Sequence, residues 1–277
     1  MTTQADKAHA FRALHERSQA FIIPNPWDVG TARLLAAMGF EALASTSAGY
    51  AYTLGLPDTR VGRDRMLAHV VELVRATDLP VSADLENGFA ETPEGVAQTY
   101  RLAAEAGLVG ASIEDASGEA EAPILELSQA VERVQAAVEA VRSLPFPFTL
   151  TARAENHLHG RVDLGDTIRR LQAYQEAGAD VLYAPGLRTR DEIETVVRSV
   201  DRPVNVLMGS PGMSFGVADL SAMGVRRISV GSALSRAALG AFLRASREML
   251  ERGTFAFGEE AIGYADIGRM FEAWDRD

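Results

Sequence analysis

No cysteine occurs anywhere in the 277 residues, so disulfides, thiolate metal sites and a cysteine nucleophile are excluded. Basic residues are also scarce: 27 Lys and Arg stand against 38 Asp and Glu, a net charge of -11. Nucleic acid and anionic membrane surfaces recruit clustered Lys and Arg, so neither is an expected partner. A small anionic substrate stays compatible, provided that local cations or a metal receive it. Met1 to Arg17 alternates charge without an apolar core, and no later apolar run is long enough to span a membrane. The expected location is therefore the cytoplasm.

What is present is an alternation. Short apolar runs punctuated by Pro or Gly recur between amphipathic stretches, and 47% hydrophobic content is enough for one large core. The runs predict strands over Phe21–Pro24, Ala42–Thr46, Val81–Asp84, Gly110–Glu114, Phe148–Arg153, Val181–Ala184, Val204–Leu207 and Arg227–Val230. Helices are expected over Asp64–Ala76, Pro93–Ala106, Ser128–Ser143, Asp163–Ala177 and Thr189–Ser199, with Thr92-Pro93 and Ser128 as starts and Gly39, Gly107 and Gly178 as left-handed stops. Eight strand-helix repeats with near-continuous apolar strands favour a single α/β domain, a closed (β/α)8 TIM barrel, over an open sheet. Beyond it, residues 255–277 form a helical extension in which Ile262, Ile267, Met270, Phe271 and Trp274 make an apolar stripe. Such a stripe packs either on a neighbouring subunit or on its own barrel.

In a barrel the chemistry gathers where strands end. Strand two ends at Ser45-Thr46-Ser47-Ala48-Gly49, strand three at Asp84 and Glu86, strand four at Glu114 and Asp115, and strand five at Arg153 and Glu155. Singly, each has an ordinary reading as a helix cap, a turn or a surface ion pair. Together, several carboxylates at one mouth repel one another unless a cation offsets them, and an oxygen-only donor set favours Mg2+, with Mn2+ possible, over zinc. Mg2+ keeps several waters, so one direct carboxylate with others holding those waters is the expected arrangement. Arg153 would meet a substrate carboxylate with both arms of its fork, and the hydroxyls and amides of Thr46 to Ala48 would hold a second anionic oxygen.

The chain resembles the isocitrate lyase and phosphoenolpyruvate mutase superfamily. The likeness runs from about Phe21 to about Phe242 and rests on Pro24-Asn25-Pro26-Trp27-Asp28, the Ser-Thr-Ser turn running to Leu54-Gly55-Leu56-Pro57-Asp58, Asp84-Leu85-Glu86-Asn87-Gly88-Phe89, Ser112-Ile113-Glu114-Asp115, Thr151-Ala152-Arg153-Ala154-Glu155 and Gly178-Ala179-Asp180. The resemblance implies a (β/α)8 barrel in a homo-oligomer, a tetramer or dimer, with a terminal helix exchanged between subunits. It also implies Mg2+ held directly by Asp84, with Asp58, Glu86 and Glu114 reaching it mostly through water, and α-keto or α-hydroxy acid substrates that chelate the metal. The second acid of the strand-three motif is usually Asp in that superfamily; here it is the longer Glu86.

The departures narrow the expectation. The superfamily's lyases carry a Lys-Lys-Cys-Gly-His gating loop, which a chain without cysteine lacks. Phosphonate-cleaving and mutase members place a Lys and an Asn after the strand-four Glu, where Ser117-Gly118-Glu119-Ala120-Glu121-Ala122-Pro123 stands, and a His near strand six, where Tyr183-Ala184-Pro185 stands. The expected activity is therefore a Mg2+-dependent carbon–carbon lyase or decarboxylase acting on a small α-keto or related dicarboxylic acid through a metal-stabilised enolate. Asp58, Glu114 and Arg153 are its expected catalytic residues, and Ser45, Thr46, Ser47, Ala48 and Arg153 its substrate-binding residues. Tyr50, Tyr52, Glu155, His157 and His159 are candidates for an added base. The alternatives are a phosphonopyruvate-type carbon–phosphorus enzyme and a non-catalytic keto-acid binding protein.

Overall fold

In the computed structural model, which describes residues 2–274, eight parallel strands form one sheet: β1 (Phe21–Ile23), β2 (Leu43–Ala44), β3 (Val81–Asp84), β4 (Gly110–Glu114), β5 (Thr149–Arg153), β6 (Val181–Tyr183), β7 (Val204–Leu207) and β8 (Arg227–Ser229). The order β1-β8-β7-β6-β5-β4-β3-β2 is a (β/α)8 barrel whose remaining seam lies between β1 and β2. Ala44 N donates to Pro24 O across that seam at 3.1 Å. Asn25 stitches it further: its Nδ2 donates to Ser45 O at 3.0 Å, and its Oδ1 accepts from Val230 N and Gly231 N, each at 2.9 Å.

The helices between strands are α2 (Val29–Ala37), α3 (Ser47–Thr53), α4 (Arg63–Ala76), α5 (Pro93–Glu105), α6 (Leu127–Arg142), α7 (Leu164–Glu176), α8 (Arg190–Arg198) and α9 (Val217–Ala222); α1 (Gln4–Glu16) precedes the barrel, and α10 (Ala233–Arg252) and α11 (Tyr264–Phe271) follow it. The start of α5 is as expected, with Thr92 Oγ1 accepting from Gly95 N and Pro93 in the first turn. Ser128 does not cap α6, which begins one residue earlier behind Glu126 without a side-chain cap. Gly39, Gly107 and Gly178 all have positive φ. At Gly178 a side chain would also collide with the Arg142 guanidinium.

Helix α1 carries few apolar residues, yet it seals the base of the barrel. Ala8, Phe11 and Leu14 pack with Phe21, Ile23, Ala42 and Val109 as a separate small core. Gly110 makes room for it: a Cβ there would lie 2.8 Å from Phe11 Cε1 and 2.8 Å from Thr149 O. Phe11→Ala is expected to lower stability by about 3–5 kcal/mol, because the void lies between strand ends that cannot collapse onto it. Denaturant unfolding followed by circular dichroism checks this, and a loss below about 1 kcal/mol contradicts the plug.

In the C-terminal segment the apolar stripe takes one of its two expected packings, on the chain's own barrel. α11 packs against α2, and Trp274 lies over the Arg33 guanidinium at 5.9 Å. It is α10 that stands clear, with Ser235 its one buried residue and Leu239, Phe242, Leu243, Met249 and Leu250 exposed. No helix among the described residues is long and apolar enough to cross a membrane.

Candidate active site

The tilt of a barrel turns hydrogen-bonded register into a slanting row of side chains. Glu114, Arg153, Tyr183, Asn205, Arg227 and Phe21 are successive partners across β4, β5, β6, β7, β8 and β1. Their row descends from the mouth to the α1 plug. Above it opens a cavity of about 760 Å³ at the C-terminal ends of the strands. Ser45, Thr46, Ser47, Ala48, Asp58, Asp84, Glu86, Glu114 and Arg153, the residues singled out from sequence, all line it.

Arg153 is the hub. Its Nη1 donates to Asp84 Oδ1 at 2.9 Å, its Nη2 lies 3.2 Å from Glu114 Oε2 and its Nε donates to Glu155 Oε1 at 2.8 Å, with the side chain only 14% exposed. The Tyr183 ring lies 5.0 Å from the same guanidinium. Burial works against this charge, but Glu155, Glu114 and Asp84 more than offset it, so the Arg153 pKa is driven up. Asp84 is held from the other side as well: Ser47 Oγ and N donate to its Oδ2 at 2.8 and 3.2 Å, and Asp84 N donates to Ser45 Oγ at 2.9 Å. Thr46 caps α3 by accepting from Gly49 N, which fixes the Ser47 amide in place.

Glu86 sits in the left-handed region at φ 49, as does Phe89 at φ 53. Non-glycine residues hold such conformations only where neighbours over-determine them. Arg133 of α6 does so here, donating to the carbonyls of Asn87, Ala90 and Glu91 at 2.6, 2.6 and 2.9 Å, while Thr99 Oγ1 donates to Gly88 O at 2.8 Å. The result aims the Glu86 carboxylate into the site, where Oε1 is buried without a hydrogen-bond partner. Burial first, then the charges of Asp84 and Asp58, push its pKa up to about 8. Asp58 is raised for the same reasons, burial and Asp84, although Thr59 N and Ser47 Oγ donate to it.

The donor set tests whether a cation fits. Among the described residues no three His, Asp or Glu side chains converge as direct ligands of one ion. Asp84 flanked by Asp58, Glu86 and Glu114 instead matches one inner carboxylate with outer ones acting through water, the habit of Mg2+. The buried, partnerless Glu86 oxygen is an acceptor that such a hydrated cation would satisfy. The residues therefore fit the ion.

A pH effect follows. With the ordinary Glu value of 4.5 in the unfolded chain and about 8 in the fold, Glu86 binds its proton more tightly when folded. Its contribution to stability is fully present below pH 4.5 and is lost as pH rises toward 8, by at most about 1.4 kcal/mol per pH unit in metal-free protein. Glu86→Gln carries no such proton, so the melting-temperature advantage of E86Q over the natural chain should widen from pH 5 to pH 8 in chelator and shrink when Mg2+ is added. A constant difference across that range contradicts the assignment.

Other sequence expectations separate here. Asp115 does not join the mouth. It lies under it, accepting from Glu155 N at 2.8 Å, Arg170 Nη1 at 3.0 Å and Tyr174 OH at 2.6 Å, and so positions Glu155 from behind. Of the candidate bases, Glu155 and His159 line the cavity, whereas Tyr50, Tyr52 and His157 do not. Tyr50 stacks on His69 with ring centroids 3.8 Å apart. Sequence reasoning passed over Arg133, Asn205 and Arg227. The last two sat unmarked inside strand predictions, although period two already places Arg227 on the same face as Ser229.

Comparison with known proteins agrees with the geometry. The phosphoenolpyruvate phosphomutase family model matches residues 11–250. A crystal structure from Burkholderia cenocepacia J2315, provisionally described as a lyase/mutase, superposes with a TM-score of 0.95 at 63% identity over 97% of this chain and 96% of its own. An uncharacterized Mycobacterium tuberculosis protein is 32% identical over 93% of this chain and 94% of its own length. Oxaloacetate decarboxylase of Chromohalobacter salexigens is 29% identical over 99% and 96% respectively. With the barrel, the acidic mouth and the match all spanning the same residues, the chain belongs to the phosphoenolpyruvate phosphomutase family, within the superfamily of lyases and mutases acting on keto acids that also holds isocitrate lyase.

Proposed function

We propose that the protein is a Mg2+-dependent carbon–carbon lyase or decarboxylase acting on a small α-keto or related dicarboxylic acid. The observation that carries this reading is the imbalance at the mouth: Asp58, Asp84, Glu86, Glu114 and Glu155 surround Arg153, and one of them, Glu86, keeps a buried oxygen with no partner. Such a site is completed by a cation and by a substrate that brings its own oxygen donors. Asp84 would hold the ion, with Glu86, Glu114 and Asp58 ordering its waters. When bound, Mg2+ supplies the positive charge that stabilises an enolate.

The chain's own groups do the rest. Arg153 is held in place by Asp84, Glu114 and Glu155 and presents its charge to the substrate carboxylate. Ser45, Thr46, Ser47 and Ala48 line the same cavity and would bind a second anionic oxygen. Decarboxylation of a β-keto acid needs little beyond stabilisation of the enolate, which suits a site without cysteine. A retro-aldol cleavage would draw on Glu155 or His159, the two candidate bases that reach the cavity. The likeness to an oxaloacetate decarboxylase supports the decarboxylase branch.

We further place the protein in the cytoplasm as a homo-oligomer in which a second copy covers the apolar face of α10. Light scattering should give a multiple of 29.7 kDa, and a monomer contradicts this. For the activity, purified protein is mixed with Mg2+ and oxaloacetate, methylisocitrate or phosphonopyruvate, and pyruvate and phosphate are followed. Pyruvate without phosphate is the expected result. Phosphate release supports the carbon–phosphorus alternative, and binding without turnover of any compound supports a non-catalytic keto-acid binder; either overturns the lyase.

A further inference from the structure

At the foot of the slanting row lies a charge that the proposed chemistry leaves unused. Arg227 is the first residue of β8, points into the barrel and is 6% exposed, yet it forms the floor of the same cavity. Its Nε donates to Asn205 Oδ1 at 3.0 Å, and Nη1 is buried with no hydrogen-bond partner. No carboxylate pairs with it among the described residues. A buried cation without a counter-ion is costly to hold, and a chain that keeps one commonly does so for a ligand.

The surroundings define what that ligand is. Asn205 is held at both ends, accepting from Arg227 and donating through Nδ2 to Ser229 Oγ at 2.9 Å. Below, Phe21 is the register partner of Arg227, and its ring packs edge-on to His15 at 5.0 Å. His15 is kept neutral by burial, its pKa brought down to about 3, so it brings no negative charge. Above stand Tyr183 and then Arg153, whose charge is already shared among three acids. Arg227 is thus a single guanidinium with an unfilled donor at the bottom of a cavity whose acidic residues all lie higher.

We propose that Arg227 is a specificity-determining residue: with Asn205 holding its Nε edge, its guanidinium, which no carboxylate neutralises, binds the distal carboxylate of a short dicarboxylic keto acid whose keto-acid end lies among Asp84, Glu114 and Arg153. One monovalent cation matches one carboxylate better than it matches a doubly charged phosphonate. The proposal rests on the keto-acid reading above and adds to it the orientation of the substrate, one end at the mouth and the other on the floor.

The test is calorimetric, in Mg2+, with two probes: 3,3-difluorooxaloacetate, a dicarboxylic keto acid, and pyruvate, which has the keto-acid end alone. The natural chain should bind the first at least about tenfold more tightly, since a hydrogen bond to a charged partner is worth about a tenfold to hundredfold change in affinity. Arg227→Met should lose that preference while its pyruvate affinity stays within about twofold. Asn205→Asp, which sets a carboxylate of nearly unchanged shape against Arg227, should lose it too, and this variant keeps the buried charge paired should R227M fail to fold. Equal affinity of the natural chain for both probes, a preference that survives N205D, or a loss of both probes together in N205D overturns the floor site alone. A natural chain that binds neither probe in Mg2+ overturns the keto-acid reading as well.

Discussion

Asp84→Asn should remove turnover of whichever acid the protein processes, by about 10³-fold or more, with the barrel still folded. Asp84 is the acid that the geometry places at the centre. One oxygen accepts twice from Ser47 and the other accepts from Arg153. Asparagine keeps the shape, and Arg153 keeps Glu114 and Glu155, so the fold has little reason to change. What goes is the negative charge proposed above to meet a cation directly. Steady-state kinetics across a Mg2+ titration, alongside a melting curve, separates the two effects. Full activity of D84N would falsify the metal reading.

Arg153→Met should be damaging in two separable ways. Removing one member of a buried ionic cluster leaves the others uncompensated, at a cost of about 3–5 kcal/mol. Here Asp84, Glu114 and Glu155 all lose their partner at once. Burial already raises the Glu114 and Glu155 pKa values and Arg153 opposes that rise, so the variant's acids shift further upward. Groups that bind protons more tightly in the fold stabilise it most at low pH, and that contribution is lost as pH rises from the unfolded value near 4.5. R153M is therefore expected to be closest to the natural chain near pH 5 and to fall behind toward pH 8 in denaturant unfolding. Activity should be lost at both. Lysine is not an adequate substitute, because a point charge cannot reach three carboxylates in fixed directions. A pH-independent stability loss would show that the cluster is not the cause.

Much of this was legible in the chain. The strands follow from apolar runs closed by Gly or Pro, and Val81–Asp84, Gly110–Glu114 and Val204–Leu207 coincide with the expected bounds. The mouth was legible because barrel geometry converts strand ends into one place, so Asp84, Glu114 and Arg153 could be grouped without coordinates. Asp115 was not separable from Glu114 on those terms. Adjacent residues on a strand face opposite sides, and only the depth of Arg170 and Tyr174 reveals which neighbour is turned away. Ser47 to Thr53 read as a turn because Ser, Gly and Thr are weak helix formers, yet the Thr46 cap and packing make it helical. The α1 plug was missed for a related reason: its sequence is polar on most faces, and Phe11 matters through a space left by a distant glycine.

That plug also governs traffic. With Phe11 and Phe21 packed together at the base beneath Arg227, the described residues close the cavity on that side, and a ligand on its floor would come and go through the mouth. A molecule leaving the floor and one arriving at it would therefore share the same doorway.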